Sequence, residues 1–269
     1  MELIFDTHAH YNDEAFQEDR KEVLSGLKAN GVGMVVNACA ALREIPEILA
    51  LAEEYDFLYA AVGVHPSETY ELADDDMEEL ERVTFGEVAG DVQADGTRTD
   101  KIVAIGEIGL DYHYPDTIRE KQKDWFAKQI DLAKRVKLPI IVHSRDAAKD
   151  TLDMIKSEGA RDTGGVIHCF SYEPEMAKAY TDMGFYIGIG GVVTFKNARK
   201  LKEIAQQMPM ELMLLETDCP YLAPEPFRGR RNDSTLIHYV AETIAGLRGM
   251  SKEDVIRITT ENARRFYRM

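Results

Sequence analysis

Short runs of apolar residues, many of them β-branched or aromatic, recur along the chain at 3–5, 33–36, 59–64, 102–105, 139–142, 165–167, 185–189 and 212–215. Each is bounded by Gly, Pro or polar residues. Such runs mark strands buried on both faces, as in a parallel sheet covered by helices. Between them the apolar spacing changes to the period of amphipathic helices. Helices are predicted over 14–29, 43–55, 75–88, 117–136, 146–157, 173–183, 197–208, 234–247 and 252–267. The polar stretch 90–100 reads as a surface loop ahead of the fourth strand. Eight strands alternating with helices in 269 residues predict an α/β fold, a (β/α)8 TIM barrel forming a single domain over 1–269. An open doubly wound sheet would place Gly-rich phosphate-binding chemistry after its first strand. Here Asp6-Thr-His-Ala-His10 follows instead.

In a barrel of this kind the active site forms where strands end at the C-terminal face. Those ends are expected to carry His8, His10, Asn37, His65, Glu107, His143, His168, the turn at 188–191 and Asp218. Five of the seven histidines fall there, whereas His113 and His238 do not. Residues i and i+2 on a strand project to one face, so His8 and His10 can converge on one ion. Asp6 shares their parity, either to orient a ligand or simply as a polar strand residue. A carboxylate directly after a buried strand is costly unless it is paired or bound to a cation, which singles out Glu107 and Asp218. Together His8, His10, Glu107, His143, His168 and Asp218 suit two divalent ions, with a carboxylate able to bridge them. Cys169 and Cys219 adjoin two of these positions but should face away, packed between strand and helix.

Composition narrows the classes of function. Asp and Glu number 48 against 32 Lys and Arg, a formal net charge of −16. That balance argues against a protein that coats long nucleic acid through its general field. It also makes Arg145 and the Arg228-Gly-Arg-Arg231 segment, after Pro220, Pro224 and Pro226, the natural landing site for a phosphate. The acidic run 74–81 reads as a solvated helix start that complements the helix dipole. A 45% apolar fraction provides for a sizeable core. No window reaches the roughly 18 apolar residues of a membrane span, and the first residues lack a basic signal region. Three separated cysteines with no CxxC pair point to a reducing, cytoplasmic setting. No obligate protein partner is evident.

Several motifs carry a resemblance. Asp6-Thr-His-Ala-His10, Gly63-Val-His-Pro66, Gly106-Glu-Ile-Gly-Leu-Asp-Tyr112 and Pro139-Ile-Ile-Val-His-Ser-Arg145 resemble the TatD family, as do His168-Cys-Phe170, Glu216-Thr-Asp-Cys-Pro-Tyr221, Arg228-Gly-Arg-Arg-Asn232 and Thr260-Glu-Asn-Ala-Arg-Arg-Phe266. The matches run in family order from residue 6 to 266. The resemblance implies a metal-dependent deoxyribonuclease, acting as an exonuclease on DNA ends or short single strands. It implies that His8 and His10 bind one ion with Asp218, that His143 and His168 hold the second, and that Glu107 bridges. It also implies phosphate contacts from His65 and Arg228, which Arg145 would join. Mg²⁺, Mn²⁺ or Zn²⁺ would fill the sites, about 3.5–4 Å apart, and activate a shared hydroxide, with Asp218 to orient the water or accept its proton. Two departures bear on substrate preference: Ser67 stands where the family often has His, and Asp233-Ser234 replaces an acidic-Pro pair.

Two other readings compete. Lactone, amide or phosphotriester cleavage can run on the same fold, though many such dinuclear sites use a bridging lysine and none occurs between Ile102 and Pro115. A non-catalytic binding barrel would have no reason to keep six costly polar groups.

Overall fold

The strands are β1 (Ile4–Ala9), β2 (Val32–Ala38), β3 (Leu58–Val62), β4 (Ile102–Asp111), β5 (Ile140–Arg145), β6 (Gly165–Ile167), β7 (Tyr186–Ile189) and β8 (Met213–Leu215). The α-helices are α1 (Arg20–Gly26), α2 (Ile45–Glu54), α3 (Asp74–Thr84), α4 (Arg119–Val136), α5 (Ala148–Ser157), α6 (Pro174–Thr181), α7 (Arg199–Gln207), α8 (Ile237–Arg248) and α9 (Lys252–Tyr267). This computed structural model describes residues 2–86 and 101–269. The predicted loop at 90–100 and the end of the helix predicted over 75–88 lie outside the described residues. The strands follow one another from β1 to β8 in one eight-stranded sheet, with helices alternating, so the fold is of the (β/α)8 barrel class. Contacts group the chain into two compact units, Met1–Asn37 with Val166–Met269, and Ala38–Gly165.

In the unit spanning 38–165, β4 is the longest strand and all ten of its residues are buried. The apolar run alone predicts only 102–105. The strand continues through Glu107 because its backbone keeps pairing with β5 after a register shift, with Ile108 opposite Val142 and Gly109 opposite His143. Gly109 has φ +142°, and a Cβ there would lie 2.0 Å from the His143 carbonyl oxygen. Only glycine allows so close an approach. Helix α4 buries Trp125, Phe126, Ile130 and Ala133. Two glutamines on the same helix are buried with them and are paid for by backbone partners. Gln129 accepts from Val64 N (2.7 Å) and donates to Val64 O (3.1 Å). Gln122 accepts from Asp111 N (2.9 Å) and donates to Pro66 O (3.2 Å). The chain beyond β3 and the end of β4 are thereby held in place.

In the other unit, β1 lies beside the segment that follows β8. Ala9 bridges Cys219, His10 N donates to Cys219 O (2.8 Å), and Asp218 N donates to His8 O (2.9 Å). Asp6 is fully buried. Its carboxylate accepts from Thr217 N (3.0 Å), Thr217 Oγ1 (2.6 Å) and Ser234 Oγ (2.6 Å). Helix α9 supports this pair of strands through Tyr267, whose hydroxyl donates to Thr7 O at 2.8 Å. The helix predicted over 14–29 is broken instead. A 3-10 turn at Glu14–Phe16 comes first, begun by the Asp13 carboxylate accepting from Ala15 N, and α1 begins only after Asp19. Local side-chain bonds from Asp compete with helix at such positions.

Candidate functional site

In the unit built from 1–37 and 166–269, His8 lies within β1, His10 just after it, His168 just after β6, and Asp218 in the segment past β8. His8 and His10 project to one side of the strand, with their Nε2 atoms 3.0 Å apart. Asp218 Oδ1 lies 3.7 Å from His8 Nε2 and 3.5 Å from His10 Nε2. The His168 ring stacks on His8 with centroids 4.1 Å apart. His8, His168 and Asp218 place ligand atoms within 4.8 Å of one another. Burial pushes the Asp218 carboxyl up, but the hydrogen bond from His10 and the charges of His168, His8 and His10 outweigh it and hold it below the usual range.

Asp6 does not meet the imidazole rings through any of its short bonds. It fixes the backbone of Thr217, next to Asp218, and burial raises its carboxyl to about 6 against the lowering effect of its hydrogen bonds. Glu216 is a second buried carboxylate that strand-end reasoning passes over. It accepts from Cys169 N, and burial pushes it up to about 8. Its Oε2 has no hydrogen-bond partner among the described residues and lies where a Cβ on Gly188 would come within 2.2 Å. Cys219 is buried, and its thiol is pushed above the usual range by burial; Cys169 is half-buried. Neither belongs to a candidate ligand group among the described residues.

In the unit spanning 38–165, Glu107 is only 3% exposed. Its Oε1 is 2.7 Å from His143 Nδ1 and 3.6 Å from His65 Nε2. His143 Nε2 faces Asp111 Oδ2 at 3.2 Å. Burial alone would lower the His143 pKa, but the bonds to Asp111 and Glu107 reverse this and raise it to about 9. Burial likewise raises Asp111, and its bonds from His143 and His113 N bring it below the usual range. His65, Asp111 and His143 place ligand atoms within 4.8 Å of one another. Asp111 was not singled out from sequence, although it sits inside the 106–112 motif. His65 Nδ1 accepts from Ser67 N at 3.1 Å, which leaves Nε2 to carry the proton of a neutral ring.

The arginines separate into two kinds. Arg231 is committed to Asp19, with two bonds of 2.7 and 2.6 Å, and to Ala15 O. It ties the loop after β8 to the start of α1. Arg228 lies over the Phe195 ring at 4.4 Å, and Arg145, the last residue of β5, lies 5.9 Å from the Tyr114 ring centroid. A guanidinium stacked by its face keeps its N–H edge for an anion. Of the two histidines placed away from strand ends, His113 lies 3.1 Å from Asp146 Oδ2 and His238 is 2.9 Å from Asn30 O. Asn37 accepts from Tyr11 N at 2.6 Å.

Both clusters combine imidazole nitrogens with carboxylate oxygens at buried or half-buried positions, a donor set that fits divalent ions such as Zn²⁺ or Mn²⁺. The orphaned Glu216 Oε2 beside one of them is a further polar atom that a bound ion's surroundings would satisfy. The model of the TatD related DNase family matches residues 5–268. The chain belongs to that family. Among its TatD relatives, the uncharacterized metal-dependent hydrolase YabD of Bacillus subtilis strain 168 is 43% identical over 267 residues, covering 99% of this chain and 100% of that one. YcfH of Escherichia coli K12, likewise an uncharacterized metal-dependent hydrolase, is 34% identical over 268 residues, covering 98% and 96%. The crystal structure of YjjV, a TatD homolog from Escherichia coli K12, matches with a TM-score of 0.89 at 30% identity, over 99% of this chain and 98% of that one. The protein is thus a TatD-family metal-dependent hydrolase on a (β/α)8 scaffold. No helix among the described residues is long and apolar enough to cross a membrane.

Proposed function

We propose that this chain is a deoxyribonuclease, an exonuclease that hydrolyses phosphodiester bonds at DNA ends or in short single strands. Its centre would hold two divalent ions, with Mg²⁺, Mn²⁺ and Zn²⁺ the ions to compare. By the family motifs, His8 and His10 with Asp218 would hold one ion, His143 and His168 the other, and Glu107 would serve both, all within one hydrolase domain over 1–269. The observation that carries the reading is the grouping of buried and half-buried imidazoles with carboxylates in a chain of this family. When bound, such ions supply Lewis acidity at the phosphoryl oxygens.

The chain's own residues have separable tasks. Asp218, kept ionised by its histidine neighbours, can take the proton of the attacking water. His65, with Nδ1 against Ser67 and Nε2 3.6 Å from Glu107 Oε1, is placed to contact a phosphate oxygen next to Glu107. Arg228 and Arg145, backed by Phe195 and Tyr114, offer bidentate N–H edges to the charge that grows on the phosphate.

The test is cleavage of end-labelled single- and double-stranded oligonucleotides, with and without chelator and added Mg²⁺ or Mn²⁺. Lactone and phosphotriester substrates run beside them. Chelator-sensitive release of nucleotides from DNA ends is expected. Hydrolysis of lactone or phosphotriester with intact DNA would replace this reading.

A further inference from the structure

A cavity of about 470 Å³ opens in the unit spanning 38–165, a size within the range of small-molecule sites. Three of its lining side chains are Tyr70, Tyr114 and Ile118, which are 61%, 54% and 56% exposed. Large apolar and aromatic groups gathered in one exposed hollow mark a binding surface rather than chance exposure. The polar lining is one-sided. Asp111 and Asp116 contribute carboxylates, and among the described residues no Lys, Arg or His lines the hollow. A phosphate would be repelled there. A neutral, planar group with N–H donors on its edge would stack on the tyrosines and donate to the carboxylates.

Two contacts place this hollow beside the chemistry already described. Ser67, in its wall, lies with Oγ 2.7 Å from His65 Nδ1. Asp111, also in the wall, is the 3.2 Å partner of His143. Gln122 bonds both Asp111 N and Pro66 O, so the walls are set before any ligand arrives.

We infer that this cavity is a nucleobase subsite, which stacks the base of a terminal nucleotide on Tyr70 and Tyr114 while its phosphate lies toward His65 and His143. The assignment of that base to a DNA substrate rests on the nuclease reading; the affinity for a base does not. An amino-bearing base such as adenine suits the acceptor-only carboxylates. Ser67 then helps shape the base pocket.

Calorimetric titration of the full chain with deoxyadenosine, and separately with inorganic phosphate, tests the inference without turnover. Stacking energies of the usual size predict that Tyr70→Ala/Tyr114→Ala weakens deoxyadenosine binding about tenfold or more. Tyr70→Phe/Tyr114→Phe should restore it, and phosphate binding should not change in Tyr70→Ala alone, where Tyr114 still backs Arg145. In cleavage assays Tyr70→Ala alone, which leaves the Tyr114 backing of Arg145 in place, should raise KM about fivefold or more with little change in kcat. An oligonucleotide ending in an abasic residue should show no such difference. Absence of deoxyadenosine binding, or equal binding by the double alanine variant, overturns the subsite. Tyrosine-dependent binding without any DNA cleavage keeps the subsite and removes the nuclease reading. DNA cleavage with an unaltered KM in Tyr70→Ala does the reverse.

Discussion

At the scale of single residues, Glu107 and Arg228 separate chemistry from recognition. Glu107 is buried against His143, so Glu107→Ala should lower kcat by roughly 10³-fold or more, with a wild-type circular dichroism spectrum. Near-wild-type kcat with full metal content would remove it from the mechanism. Arg228 rests on Phe195 and, among the described residues, makes no ion pair comparable to that of Arg231. Arg228→Ala should reduce kcat/KM on DNA by about 10–100-fold and flatten the salt slope by about one unit, whereas Arg228→Lys recovers only part. Titration of cleavage against salt concentration reads this directly. The contrast between these arginines was not legible in sequence. Arg228, Arg230 and Arg231 read as one basic segment, and the bond that commits Arg231 reaches Asp19 across 212 positions. By comparison, His8 and His10 were legible because strand parity is local. Asp111 and Glu216 were not, because each shows its importance only through a partner distant in sequence, His143 for the one and Cys169 N for the other.

At the scale of elements, the pairing of β1 with the segment after β8 depends on the Asp6 carboxylate. Asp6→Ala leaves Thr217 N, Thr217 Oγ1 and Ser234 Oγ without their acceptor in a buried place. A loss of about 3 kcal/mol in urea-unfolding free energy is expected. Glu216 gives the same region a pH dependence. Its folded pKa of about 8 lies above the ordinary carboxylate value, so its contribution to stability is fully present at low pH and is lost as pH rises toward 8. In metal-free protein, the urea midpoint of the wild type should therefore fall between pH 5 and 8 relative to that of Glu216→Gln. A constant difference would mean that Glu216 is ordinarily ionised. The elements themselves were largely readable: β6 falls at 165–167 and α9 at 252–267, as the apolar pattern predicts. Pattern reading stopped short on β1 and β4, which continue past their apolar runs. There the strand is defined by backbone pairing with a neighbour, and buried polar residues take the place of the apolar signal.

At the scale of the whole molecule, the acidic balance and the buried carboxylates act together. Removing divalent ions should abolish hydrolase activity and lower Tm, since a ligand that binds only the folded state stabilises it by mass action. Restored Mn²⁺ or Mg²⁺ should recover both; activity that survives exhaustive chelation would contradict metal dependence. One feature of the connectivity governs how such a molecule is made. The unit with His8 and His10 draws on both Met1–Asn37 and Val166–Met269, whereas Ala38–Gly165 is continuous. Asp6 waits for Thr217, 211 positions later, which at roughly 5–20 residues per second is about 10–40 seconds of translation. During that interval the middle of the chain can already acquire its native pairings, while the first strand emerges with neither its acceptor-bound partner nor Asp218. The nascent first strand can pair early with β2 on one side but lacks on the other the segment that carries Thr217 and Asp218, and chaperone capture or premature metal loading at His8 and His10 would compete with correct assembly in that window.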